Sequence, residues 1–130
     1  MRRLSMLAVL LLAAGCADLV TPAPSGPRFV VFFQEWSAAI DDPAGKVIGG
    51  AADWAKQHPG VPLIVTGYAD PTGSVAANAE LTRLRAQMVS DALVQDGVAE
   101  SRIHRRAAGS VAFAGTSQES RRVVIAAGAP

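Results

Sequence analysis

Residues 67–89 read G-Y-A-D-P-T-G-S-V-A-A-N-A-E-L-T-R-L-R-A-Q-M-V, and they hold the end of a strand, a tight polar turn and the first half of a long helix. Val61 to Tyr68 is a β-branched and apolar run that reads as a strand. Asp70-Pro71-Thr72-Gly73 is turn chemistry. From Val75 the pattern is helical as far as Gln95, where Asp96-Gly97 stops it. Ala77, Leu81, Leu84, Met88, Ala92 and Gln95 share one face, which is predicted to pack on the sheet. Asn78, Thr82, Arg85 and Val89 form the neighbouring stripe. Asn78 and Arg85 are seven residues apart, so they lie within about 20° of each other around the helix. Both can line the mouth beside the turn that carries Asp70.

Outward from this unit, Phe29-Val30-Val31-Phe32-Phe33 reads as a first strand. Asp42-Pro43 supplies an N-cap followed by proline at the first helical position, and Val47, Ile48, Ala51, Trp54 and Ala55 recur at helical spacing until His58-Pro59-Gly60. Ser101 to Ala107 and Arg121 to Ala127 read as two further strands. The order β-α-β-α-β-β predicts an α+β sandwich with the helices packed on a four-stranded mixed sheet.

The chain has 130 residues, room for one domain. The first fifteen residues read as a secretory leader: Arg2 and Arg3, an apolar run Leu4 to Leu12, then Ala13-Ala14-Gly15. The apolar run is too short to span a bilayer, which takes about 20 residues. Cys16 is the single cysteine, so no disulfide closes within the chain. Residues 16–28 include Pro22, Pro24 and Pro27 and read as an extended tether reaching at most about 40 Å; residues 29–127 form the domain. Of twelve Lys and Arg, two lie in the leader, which leaves ten against eleven Asp and Glu. That balance offers nothing to a polyanion, and no nucleic-acid partner is expected.

Leu12-Ala13-Ala14-Gly15-Cys16 resembles the lipobox of bacterial lipoproteins, with Ala13 where that family usually carries Leu. The resemblance implies a diacylated Cys16, cleavage before it, N-acylation of the freed amine, with fatty acids such as palmitate, and firm membrane attachment at about 0.8 kcal/mol per buried CH₂. Ala17 stands where an inner-membrane retention signal has Asp, which implies sorting to the outer membrane with the domain facing the periplasm.

The spacing Asp70-x-x-Gly73, then Asn78-x-x-Leu81-Thr82-x-x-Arg85-Ala86-x-x-Val89, resembles the signature of OmpA-like domains, with Thr82 in place of the usual Ser. The likeness extends from about Phe29 to Ile125 and takes in Gly97-Val98, Ser101-Arg102-Ile103 and Arg121-Arg122-Val123. It implies a non-enzymatic domain, similar to that of the peptidoglycan-associated lipoprotein, that binds the diaminopimelate residue of peptidoglycan. The residue chemistry suits such a ligand. A carbon bearing both an ammonium and a carboxylate asks for one anion and one planar cation, the roles of Asp70 and Arg85. The resemblance adds Asn78 and Arg121 to the site, and the backbone N–H groups of the turn through Thr72 and Gly73 as further donors.

Each of these residues also has a plainer reading. Asp70 and Arg85 form a structural salt bridge, Asn78 pins a loop, or Arg121 is a solvated strand residue. Arg102, His104, Arg105 and Arg106 read as a solvated strand face, and Trp36 and Trp54 as packing residues. His58 and His104 have no metal-ligand spacing, and no nucleophile motif is present, so neither a metal, a cofactor nor catalysis is expected. The expected role is noncovalent anchoring of the outer membrane to the wall; the alternative is a protein-interaction module with a Tol-system partner. The segment Ala108 to Ser120 reads as short and low in helix, which predicts an open pocket.

Overall fold

A computed structural model describes residues 26–69, 73–110 and 120–128. The leader, Cys16 and most of the tether lie outside these residues, as do Asp70, Thr72 and most of the segment 108–120. The elements are β1 (Arg28–Phe32), α1 (Asp42–Gln57), β2 (Leu63–Ala69), α2 (Val75–Gln95), β3 (Ile103–Ser110) and β4 (Arg122–Ala127), with a 3₁₀ turn at Glu100–Arg102.

The sheet is four-stranded with the order β1-β4-β2-β3. α2 is the crossover between β2 and β3, which are parallel. The last strand, β4, lies antiparallel to both β1 and β2 and separates them. Its inward residues Val123, Ile125 and Ala127 are buried together with Val31, Leu63 and Val65 on the sheet side. Ile48, Ala51, Ala52 and Ala55 of α1 and Ala86, Val89 and Leu93 of α2 close the core from the helix side. The predicted α+β architecture, two helices on a mixed four-stranded sheet, is the observed one.

Local chemistry sets the helix ends. The N-cap of α1 is Asp41, whose carboxylate accepts from the Ala44 N–H at 2.9 Å, so Asp42 and Pro43 occupy the first two helical positions. This corrects the sequence reading, which capped the helix one residue later. Ser74 caps α2 by accepting from the Ala77 N–H at 3.0 Å. At its other end Gly97 takes φ +103°, with Gly97 N–H donating to Val94 O and Val98 N–H to Leu93 O, both at 3.0 Å. That is a Schellman termination, and the buried Val98 and Leu93 supply its apolar contact.

The face that α2 turns inward also differs from expectation. Leu84 is 49% and Met88 36% exposed, while Asn78, Thr82, Arg85, Val89 and Leu93 are buried. The cause lies in β2. A Cβ on Gly67 would stand 2.6 Å from the Thr82 carbonyl oxygen, so the glycine lets the helix backbone approach the strand closely along that stripe. The polar side chains drawn in with it are satisfied locally. Thr82 Oγ1 donates to Asn78 O at 2.6 Å and Ser90 Oγ to Ala86 O at 2.8 Å. Hydrophobicity alone points to the Leu84 face; backbone clearance overrides it.

Candidate functional site

The burial of that stripe creates the site. Arg85 projects from α2 and is fully buried. Its Nε donates to Ser37 O at 2.7 Å and its Nη2 to Gln34 O at 3.0 Å, and the guanidinium lies 5.2 Å from the centroid of the Phe33 ring. Nη1 is buried with no hydrogen-bond partner among the described residues. An ionised donor left in this state is costly, which makes it a place where a ligand's acceptor is favoured.

The second cation is Arg121, at the entry to β4. Its Nε donates to Phe33 O over 3.4 Å, and the Phe33 N–H donates to Arg121 O at 3.0 Å. Burial, and then the charge of Arg121, lowers the pKa of Arg85 from its ordinary value to about 10. Arg85 therefore stays ionised at neutral pH. Among the described residues the salt bridges are Lys56–Asp53 and Arg83–Glu80, neither of them at the site. The Arg121 guanidinium is close enough to Arg85 for its charge to disfavour the ionised form there.

Asn78 is buried on the same stripe, and its backbone carbonyl accepts from Thr82. Gly73 closes the turn before α2 with φ +92°, and a Cβ there would meet Trp36 Cη2 at 2.7 Å. The structure therefore brings Arg85 and Arg121 together through Phe33, and places Asn78 and Gly73 on the same end of α2. Asp70 and Thr72 lie outside the described residues, between the end of β2 at Ala69 and Gly73. Cys16 lies outside them as well.

Sequence reasoning missed the loop 34–37 as a partner of Arg85, because backbone carbonyls leave no mark in a side-chain pattern. The aromatic run ending at Phe33 was the available signal. Trp36 is 58% exposed, which corrects the reading of it as a packing residue. Trp54 is half-buried and stacks on His58 with ring centroids 4.0 Å apart.

Arg102 is also corrected. Its guanidinium donates to Ala55 O, His58 O and Val61 O, each at 2.8 Å, and so ties the end of α1 to the start of β2 instead of standing on a solvated face. His104, Arg105 and Arg106 are exposed, and Arg105 donates to Gln87. No helix among the described residues is long and apolar enough to cross a membrane.

A family model described as the OmpA family matches residues 32–124, more than half of the chain. The chain is 34% identical over 79 residues to the probable lipoprotein YiaD of Escherichia coli, an alignment covering 61% of this chain and 36% of YiaD. It is 33% identical over 99 residues to the peptidoglycan-binding protein ArfA of Mycobacterium tuberculosis, covering 74% of this chain and 29% of ArfA. The match thus spans about a third of each relative. In fold it resembles the crystal structure of the peptidoglycan-associated lipoprotein from Burkholderia pseudomallei, with a TM-score of 0.70 at 24% identity, covering 76% of this chain and 89% of that one.

Proposed function

This chain belongs to the OmpA family, and from that membership we propose that it binds peptidoglycan noncovalently through the diaminopimelate residue of the stem peptide, tethering the outer membrane to the wall. The observation that carries the reading is the Nη1 atom of Arg85, buried, charged and without a partner among the described residues. A ligand carboxylate placed there completes the hydrogen bonding of the guanidinium and offsets its repulsion from Arg121. In this proposal Asp70 takes the ligand ammonium. Asn78 and the turn around Thr72 and Gly73 position the stem.

The relatives' names speak of lipoproteins and of peptidoglycan binding, which supports a place in the cell envelope. Residues 1–15 as a cleaved leader, Cys16 as the acylated anchor and residues 16–28 as the tether complete the proposal. One acylated end in the membrane and one domain on the wall give linkage by many weak contacts. No turnover is required of it.

The test is co-sedimentation of the full-length chain, in detergent, with diaminopimelate-type peptidoglycan and with lysine-type peptidoglycan, whose side chain ends without a carboxylate. Binding to the first alone, lost in Asp70→Ala and Arg85→Ala variants that keep their circular dichroism spectra, is the expected result. Equal binding to both walls overturns the diaminopimelate reading. Absence of binding to either turns the search to a protein partner of the Tol type. Labelled palmitate incorporated by the wild type and not by Cys16→Ser tests the anchor.

A further inference from the structure

Trp36 stands at a position that sterics reserve for other residues. Ser37 N–H donates to Gln34 O at 3.2 Å, so residues 34–37 form a β-turn, and Trp36 is its third residue with φ +54°. Turns with positive φ at that place ordinarily take Gly or Asn, and a bulky side chain there is strained. The strain is not recovered by burial, since the residue is 58% exposed.

The turn is nonetheless held firmly. Arg85 grips it at both ends, through Gln34 O and Ser37 O. The indole rests its Cη2 edge against Gly73, whose missing side chain makes room for it. The same guanidinium thus fixes a strained turn that carries an exposed aromatic ring. An outlier kept by over-determined surroundings marks a functional position.

We propose that Trp36 is the apolar wall of the site and that its indole lies along the methylene chain of the bound diaminopimelate, between the charged end held below and the peptide above. The proposal rests on the peptidoglycan reading of the same site. With a ligand carboxylate held on Arg85, the part of the ligand that falls beside the exposed indole is the aliphatic stem. An indole face covers that stem and keeps water from the charged contacts beneath.

The experiment uses the full-length chain in detergent and the glycan-free tripeptide L-alanyl-γ-D-glutamyl-meso-diaminopimelate. The chain has two tryptophans, so Trp54→Phe leaves Trp36 as the fluorescent reporter. Its emission is expected to shift on addition of the tripeptide. Calorimetry should show Trp36→Asn binding about ten-fold more weakly, the equivalent of about two methylene groups returned to water. Trp36→Phe is expected to keep most of the affinity. Asn accepts the left-handed conformation, so the variant keeps the turn and its melting temperature should not fall.

Unchanged affinity in Trp36→Asn, while Arg85→Ala abolishes binding, overturns the role of Trp36 and leaves the peptidoglycan reading standing. A loss seen with the disaccharide-tripeptide and not with the tripeptide assigns the ring to sugar and likewise overturns it. If the tripeptide fails to bind the wild-type chain, both readings fall together.

Discussion

Arg85 carries a full charge into the interior of a small domain, and its environment supplies two carbonyls, one aromatic face and a second cation. Lysine in its place keeps the charge and loses the planar fork. Arg85→Lys is therefore expected to weaken wall binding at least about ten-fold and to lower stability by about 1–3 kcal/mol, as the carbonyls of Gln34 and Ser37 go unmatched. Co-sedimentation and urea unfolding measure the two effects separately.

The titration of Arg85 gives a second prediction. With the folded pKa at about 10 and the ordinary value well above it, the group is ionised in both states at neutral pH, and the whole cost of its burial is present. Between those two values the unfolded chain holds a proton that the folded chain lacks, so stability rises with pH across that window. Urea unfolding at about pH 9 and about pH 11 should show the wild type gaining on Arg85→Met, in which the group is absent. At this scale the sequence was informative about side chains that act through their own charge. The shared stripe of Asn78 and Arg85 on α2 was legible from their spacing, whereas the carbonyls that hold Arg85, and the conformation that exposes Trp36, were not.

Elements are positioned by single atoms. α2 meets β2 at Gly67, and Gly67→Ala places a methyl group against the Thr82 carbonyl oxygen at 2.6 Å. That oxygen is helix backbone, so the helix must move, and a loss of about 2–3 kcal/mol in urea unfolding is expected. Because Thr82 and Arg85 share the stripe, the same variant should also weaken wall binding. At the opposite end of the domain, Arg102 joins α1 to β2 through three carbonyls. Arg102→Ala should cost about 1.5–3 kcal/mol in thermal or urea unfolding and leave wall binding intact.

The bounds of α2 were readable because proline, glycine and serine punctuate them. The face it buries was not, because apolar counting favours Leu84 and Met88 while the clearance at Gly67 selects Thr82 and Arg85. The N-cap of α1 was off by one because two aspartates adjoin the proline, and the carboxylate that reaches Ala44 N–H is the first of them.

For the molecule as a whole, the topology was implied by the alternation of strands and helices together with the family signature. The placement of β4 between β1 and β2 follows from no local signal, since Val123, Val124 and Ile125 would suit an edge or a centre equally. That placement gives a prediction of its own. A chain stopped before Arg122 leaves β1 without a neighbour and opens the core along Val123 and Ile125. It should show no cooperative thermal transition, whereas a domain with an edge strand last would lose only part of its stability.

The same strand order has a meaning in time. Synthesis delivers a chain from one end to the other, and here the strand that joins the two halves of the sheet is the last of the four to arrive. Until residues 122–127 have emerged, β1 and α1 on one side and β2, α2 and β3 on the other share no continuous sheet. A nascent chain of this kind holds no finished sheet before then, and the arrival of β4 closes it.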